Sequence, residues 1–185
     1  RRHVWFDGRD YWAVDVASGA RTNLTARLAG GRVDFVDRED DHPMDVLPPI
    51  GAPLWSKDGN LLLVNSAYDV WALSLDGSGG RALTNGARDG LEHRVVSFAG
   101  FGGSAADRAV DLSKPVYLSL YGKRSKKSGY ARLANGTVTT LAIGGAQYAA
   151  LAKADPMSWS VPGLLQRLVQ DGRSFDSLNR EGSLV

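Results

Sequence analysis

The chain has 185 residues, no cysteine and a formal net charge of +2 at pH 7. The lack of cysteine excludes disulfides, cysteine-ligated zinc and thiol catalysis. The nearly balanced charge gives no reason to expect a nucleic-acid or anionic-membrane partner, and no run approaches the ~20 apolar residues of a transmembrane helix. The 22 glycines and many aromatic residues favour short strands joined by tight turns.

The first elements in chain order are short strands. Residues 3–6 and 12–16 flank an Asp-Gly-Arg-Asp tetrapeptide at 7–10, which predicts a β-hairpin with an Asp-Gly turn. A third strand is predicted over residues 22–25. Because a strand pattern starts so close to Arg1, the chain is interpreted as an internal fragment of a longer protein.

Residues 31–49 differ in composition from the strand-rich segments before them. Their acidic run at 37–42, Asp-Arg-Glu-Asp-Asp-His, is followed by Pro43 and later by Pro48 and Pro49, so we predict a long surface loop or insertion. Its carboxylates would suit a hard cation, but the run lacks the spacing and the turn glycine of a calcium loop. A solvated loop is favoured over a metal site.

The most regular segment runs over residues 53–85. It contains Trp55-Ser56, a Lys-Asp-Gly-Asn turn, an apolar run at 61–64 and strands at 71–75 and 81–84. A continuous apolar run bounded by turn residues is typical of a strand that is buried on both faces. Four strand candidates therefore form one unit.

Further strands are predicted at residues 93–98, 115–121, 130–133 and 138–142, with a glycine- and alanine-rich loop at 100–106. The basic run at 123–127 lies between two strands, and we interpret it as a solvated hairpin tip, with a contact patch as the alternative. Near the end of the chain, apolar residues on one helical face predict a short helix that Ser160 caps and Gly172 ends.

An internal repeat connects these units. Trp12, Trp71 and Tyr130 are each 59 residues apart, and each lies in a short alternating run that is followed by a glycine-containing turn and a second run. Hairpins that recur at such a period predict stacked or radially arranged sheets, none of which buries its apolar face alone.

Residues 53–85 resemble the repeat of TolB-type propellers and of the propeller domains in the prolyl oligopeptidase family. The resemblance rests on Trp-Ser-x-Asp-Gly at 55–59, Asp-Val-Trp at 69–71, Asp-Gly at 76–77 and Arg-Ala-Leu-Thr at 81–84. Trp-Phe-Asp-Gly-Arg-Asp at 5–10, Thr-Asn-Leu-Thr at 22–25, the acidic loop and Tyr-Asp-Val-Trp at 68–71 carry a narrower resemblance, over about residues 4–151, to bacterial serine peptidases of the prolyl oligopeptidase family.

The density of strand pairs up to about residue 150, without helical periodicity, predicts an all-β fold. The resemblance implies a partial β-propeller of about two to three four-stranded antiparallel blades over residues 1–151. An atypical tail with a short helix, non-native or truncated, follows over 152–185. By the same resemblance, the chain is a non-catalytic N-terminal propeller that gates peptide access to an α/β-hydrolase domain absent from this sequence. The parent would be a bacterial serine peptidase acting on peptides, in the periplasm or secreted. The alternative is a TolB-like platform for protein–protein interaction without enzyme activity.

The likeness stops after Asp155. One hypothesis is that a reading-frame change or truncation in the source gene has left a non-native tail. Sequencing the locus tests this hypothesis, which is wrong if the other frames do not restore a strand-rich continuation.

The residues that carry serine-peptidase chemistry are not recognisable in the sequence. The chain contains no G-x-S-x-G elbow, and the nearest approach, at residues 102–106, lacks the final glycine. His3, His42 and His93 are scattered without a partner at a recognisable spacing. The sequons at Asn23 and Asn135 coincide with strand and turn positions. No catalytic residue, cofactor site or metal site is therefore predicted.

Overall fold

The computed structural model describes residues 1–96 and 108–144. Their strands form three antiparallel sheets, each following the order of the chain. The first contains β1 (Arg2–Phe6), β2 (Tyr11–Asp15) and β3 (Arg21–Asn23). The second contains β4 (Leu54–Trp55), β5 (Leu61–Asn65), β6 (Val70–Ser74) and β7 (Gly80–Ala82). A short helix, α1 (Gly86–Asp89), leads to the third, which contains β8 (Leu91–Val95), β9 (Val116–Gly122), β10 (Ser128–Ala134) and β11 (Thr137–Gly144). The all-β prediction is confirmed, and none of these three sheets closes on itself.

The predicted turns form because polar side chains within them accept hydrogen bonds from nearby backbone amides and because glycines adopt the positive φ angles that the turns require. Between β4 and β5, Asp58 accepts hydrogen bonds from the Ser56 hydroxyl at 2.5 Å and the Asn60 amide at 3.1 Å. Gly59 adopts a φ of 71°, a conformation that side-chain-bearing residues seldom take. The β6–β7 turn likewise has Gly77 at a φ of 77°. The Asp-Gly motifs of the sequence are thus the hairpin connections.

The second sheet lies between two apolar cores, one on each of its faces. Leu62 and Val64 point toward the first sheet, and Leu63 points toward the third, so the apolar run at 61–64 is buried on both sides as predicted. One core joins the second sheet to the third through Leu63, Val70, Ala72, Leu83, Val116, Leu118, Leu120, Ala131 and Leu133. The other joins it to the first sheet and the loop before β4 through Tyr11, Ala13, Leu24, Phe35, Leu62, Val64, Leu73 and Leu75.

Two of the three aromatic residues of the 59-residue repeat occupy equivalent positions in their sheets. Trp12 and Trp71 lie in the second-to-last strand of their sheets, and Trp71 points back toward the preceding sheet. Tyr130 lies in the corresponding strand of the third sheet, but its neighbour Ala131 points back instead. The expected equivalence of Tyr130 is therefore wrong by one residue. Apolar alternation decides the face, because Ala131 pairs with Leu118 in the buried row of β9.

The segment predicted as a surface loop is only partly one. Its acidic residues are largely exposed, yet Phe35 is completely buried. The Phe35 ring packs edge-on against Tyr11 at 5.7 Å and against Trp71 at 6.3 Å between ring centroids. A bridge between Val36 and Pro49 closes the loop behind it. The insertion thus contributes a side chain to the core between the first two sheets, which its acidic composition concealed.

Several predictions lie outside the described residues. These are the end of the strand at 93–98, the whole loop at 100–106, the tail helix and the boundary between residues 151 and 152. The helix α1 was not expected, and it ends where Gly90 takes a left-handed φ of 67°. No helix in the described residues is long and apolar enough to span a bilayer.

Candidate functional site

The insertion and the third sheet enclose a charged cleft of about 340 Å³. The loop wall carries Asp34, Asp37, Arg38 and Glu39, and the sheet wall carries charged side chains from β8 and from the β9–β10 turn. Acidic and basic groups alternate around the cleft, so a ligand that presents both signs of charge would find partners there. We call this feature the charged cleft; its full lining is Asp34, Val36, Asp37, Arg38, Glu39, Ile50, Ala67, Glu92, Arg94 and Lys123.

Lys123 ties the two walls of the charged cleft together. Its Nζ lies 2.6 Å from Glu39 Oε1 on the loop and 3.1 Å from Glu92 Oε1 on β8. The hydrogen bond to Glu39, with that to Glu92, raises the pKa of Lys123, and the same bond lowers the pKa of Glu39. The predicted solvated tip is therefore correct for most of the basic run but not for Lys123, whose side chain is only 32% exposed.

Arg94, on β8, lines the sheet wall of the charged cleft. Its guanidinium donates to the carbonyl of His93 at 2.8 Å and to that of Ala67 at 3.0 Å, and it lies 3.7 Å from Glu92. Burial lowers the pKa of Arg94, and the nearby Glu92 carboxylate opposes that shift. These contacts fix the guanidinium in place, as recognition of a carboxylate or a peptide carbonyl requires.

The charged cleft offers mixed charges, but its described lining lacks the hydroxyl or thiol nucleophile and the histidine base of serine- or cysteine-dependent acyl transfer. None of its described lining residues carries a hydroxyl, a thiol or an imidazole. Acyl transfer needs such a nucleophile together with a base within hydrogen-bond reach. The mixed charges of the lining suit contact with a polar or charged segment of a peptide or protein.

A second polar cluster is buried at the junction of the second and third sheets. Asp69 accepts hydrogen bonds from the Thr84 hydroxyl at 2.7 Å, from the Gly86 amide, and from the Ala87 amide at 3.3 Å. His93 is 6% exposed and its Nδ1 has no hydrogen-bond partner. Burial lowers the pKa of His93, and the Asp69 carboxylate opposes that shift. The Asp69 carboxylate already accepts hydrogen bonds from these donors inside the fold. We therefore interpret the cluster as structural.

The three histidines noted in the sequence have different surroundings and do not form one site. His3 stacks on Trp5 with 6.4 Å between ring centroids. His42 contacts Asp40 at 2.7 Å in the exposed part of the insertion. The ligand atoms of Asp40, Asp41 and His42 lie within 4.8 Å of one another. The main chain and ring of His42 already engage Asp40 in hydrogen bonds, which is how a solvated acidic loop satisfies its own groups.

The two sequon asparagines have local structural roles. Asn23 Oδ1 accepts from the Thr25 amide at 2.8 Å and from the Thr25 hydroxyl at 3.0 Å. Asn135 takes a φ of 51° and, with Gly136 at 73°, makes the β10–β11 turn. Both positions use asparagine for the hydrogen bonds and backbone conformations that turns require.

The charged cleft was not predicted from the sequence. Its residues come from the insertion, the β5–β6 turn, β8 and the β9–β10 turn, which are tens of residues apart in the chain. The available signal was the coincidence of an acidic insertion with a basic hairpin tip, whose opposite charges favour contact.

Comparisons with known proteins identify no relative. No family model matches the chain, and neither a curated protein nor a solved structure matches it. The resemblance to propeller repeats therefore remains a prediction that rests on the motifs within residues 53–85.

Proposed function

We propose that this chain is a non-catalytic propeller segment of a prolyl oligopeptidase-family serine peptidase. In that role it restricts which peptides reach an α/β-hydrolase domain encoded elsewhere in the longer protein. The peptide bond would be cleaved in that other domain.

One observation carries this proposal. The residues that resemble a propeller repeat, 53–85, supply a complete four-stranded meander that packs with both faces against neighbouring sheets. A blade inside a propeller is buried in this way, because each sheet covers the apolar face of the next. The shared Asp–Thr hydrogen bond in the first two sheets supports the same interpretation.

The charged cleft gives the segment a means of contacting peptides. Arg94 and Lys123 offer donors, and Glu92 with the loop carboxylates offers acceptors, within one concave surface. Peptides present both carbonyl and amide groups, so a mixed-charge wall retards or orients them without cleaving them.

The proposal is tested with the longer protein encoded at the locus. We expect its downstream sequence to contain G-x-S-x-G followed by Asp and His, and we expect the enzyme to cleave a chromogenic dipeptide. The 185-residue chain alone should cleave none. Turnover by this chain alone that a serine-directed inhibitor abolishes would contradict the proposal.

A second candidate is a TolB-like interaction platform without any enzyme activity. The charged cleft favours it equally, because a concave surface with both signs of charge suits a protein partner. A reading frame that ends after further propeller repeats, without a serine elbow, would support the platform.

A further inference from the structure

The loop wall of the charged cleft pairs most of its charges within itself. Arg38 Nε lies 2.8 Å from Asp34 Oδ2. Asp37 accepts a hydrogen bond from the main-chain amide of Glu39 at 3.0 Å. The Glu39 carboxylate is different, because its ion-pair partner among the described residues is Lys123, 2.6 Å away on the opposite wall. One carboxylate of the insertion therefore reaches across the cleft.

The sheet wall holds Lys123 by a carboxylate of its own. Glu92 Oε1 lies 3.1 Å from Lys123 Nζ, and Glu92 Oε2 lies 3.7 Å from Arg94. The Glu92 side chain is 18% exposed, whereas that of Glu39 is 74% exposed. An exposed ion pair is weak, because water and salt screen it. Glu92 is thus the fixed counter-charge of Lys123, and Glu39 is the carboxylate that another group can replace.

Positive charge surrounds the position of the Glu39 carboxylate. The hydrogen bond from Lys123 lowers the pKa of Glu39, and the charge of Lys126 lowers it further. Lys126 is itself placed by Tyr121, with its Nζ 5.7 Å from the centroid of that ring. Residues 123–127, which form the β9–β10 turn, include no acidic residue. The carboxylate of a different molecule would meet the same two lysines at this position.

The contact within the chain also shows the size and kind of ligand that the cleft accepts. The ligand is a carboxylate on a flexible side chain, carried by an extended segment. A volume of about 340 Å³ admits a short peptide segment of this kind. Asp37 and Arg38 line the same cleft, so the residues beside an incoming glutamate find partners of both signs.

We propose that the charged cleft binds peptides through a glutamate side chain that replaces Glu39 on Lys123. Glu39 then turns to solvent, and the insertion acts as a competitor built into the chain. This inference rests on the proposed role of the charged cleft in contacting peptides, and it names acidic peptides as the class that is bound. It does not require that a peptidase domain belongs to the same protein.

The probe is a fluorescein-labelled Val-Asp-Arg-Glu-Asp peptide with an amidated carboxyl terminus, which copies residues 36–40 of this chain. We expect saturable binding to the full 185-residue chain by fluorescence anisotropy, with a Kd of about 1 mM or lower. The same peptide with glutamine in place of its glutamate is the matched control and should bind about threefold or more weakly. Amidation ensures that a side-chain carboxylate is tested and not a terminal one.

The variant Glu39→Gln tests the competition directly. It should tighten binding of the glutamate peptide about two- to sixfold, because an exposed ion pair keeps Glu39 on Lys123 for most of the time and raises the apparent Kd accordingly. Asp41→Asn removes the same charge from an exposed position of the same loop and should tighten binding less. If Glu39 only held the insertion in place, its loss would weaken binding instead.

The variant Lys123→Gln should weaken binding of the glutamate peptide about fivefold or more, whereas Lys127→Gln, at an exposed position of the same turn, should have a smaller effect. If Lys123→Gln fails to fold, the two peptides and Glu39→Gln still decide. The absence of binding, equal binding of the two peptides, or a Glu39→Gln variant that binds no tighter than Asp41→Asn would overturn the proposal.

Failure of this inference can be told apart from failure of the proposed function. A longer protein that cleaves the chromogenic dipeptide, together with any of these three results, would refute the glutamate site alone. The expected peptide binding, together with a longer protein that lacks a serine elbow and cleaves nothing, would support the glutamate site and refute the peptidase assignment.

Discussion

Thr84 donates its hydroxyl proton to Asp69 across 2.7 Å, and the two residues are fifteen positions apart. Thr25 and Asp10 make the same contact in the first sheet, at 2.6 Å and at the same separation. Each bond ties the second residue after the last strand of a sheet to the residue immediately before the adjacent strand. The bond is therefore a second element of the repeat, independent of the aromatic positions.

Replacing Thr84 with valine should destabilise the chain. The change removes one donor to Asp69 and takes from the buried Val70 amide its acceptor, the Thr84 hydroxyl, and an unsatisfied buried group costs about 1–3 kcal/mol. Thr84→Ser retains the hydroxyl and should recover most of the loss, while Thr25→Val should cost less because the Asp10 side chain is 28% exposed. Urea denaturation gives the three free energies of unfolding. A Thr84→Val variant as stable as the wild type would show that the bond contributes nothing.

Truncation of Phe35 should be among the costliest single changes in the insertion. Its ring is fully buried between Tyr11 and Trp71, and Phe→Ala in such a site costs about 3–5 kcal/mol. Met44→Ala, in the same segment but 51% exposed, is the matched control and should change stability by less than about 0.5 kcal/mol. Thermal unfolding followed by near-ultraviolet circular dichroism measures both. Similar midpoints for the two variants would mean that Phe35 is not part of the core.

The two ion pairs of Lys123 should differ in strength in the order opposite to their lengths. The Glu39 contact is shorter, but the Glu39 side chain is 74% exposed and that of Glu92 is 18% exposed. Water and salt screen the exposed pair more. Double-mutant cycles with Lys123→Met should therefore give a larger coupling energy for Glu92→Gln than for Glu39→Gln. The reverse order, or a Glu92 coupling that disappears first as salt is added, would contradict this ranking.

His93 should make stability fall as the pH drops below about 6.5, its ordinary pKa. Burial lowers the pKa of His93 in the folded state, so the unfolded chain binds a proton at a higher pH than the folded chain does. Stability is then retained above the unfolded pKa and declines between that pKa and the lower folded one. His93→Gln should flatten this decline when urea unfolding is measured from pH 7.5 to 5. An unchanged slope in the variant would assign the decline to other groups.

The strands and turns of the described chain were largely predictable from sequence. Asp-Gly turns at residues 7–8, 58–59 and 76–77 separate alternating runs, and each such turn joins two neighbouring strands in the structure. Local hydrogen bonds and left-handed glycines decide these features, so they do not depend on distant residues. The predicted boundaries differ from the observed ones by one or two residues at most strand ends.

Features that depend on long-range packing were not predictable in this way. The face on which Tyr130 lies follows from the pairing of β10 with β9, and the burial of Phe35 follows from the gap between two sheets. The charged cleft needed Lys123 to reach Glu39, 84 positions away in the chain. In the sequence, Phe35 and Lys123 each lie among polar residues. Solvated loops also contain single aromatic residues and lysines, so composition alone does not show that these two side chains make long-range contacts.

The proposed function is tested most directly by a crystal structure of the protein encoded by the complete reading frame. We expect the three sheets seen here to continue into further four-stranded meanders that close into a ring, beside an α/β-hydrolase domain with a serine at its elbow. Sheets that end as an open stack, with no serine domain in the same polypeptide, would contradict the proposal.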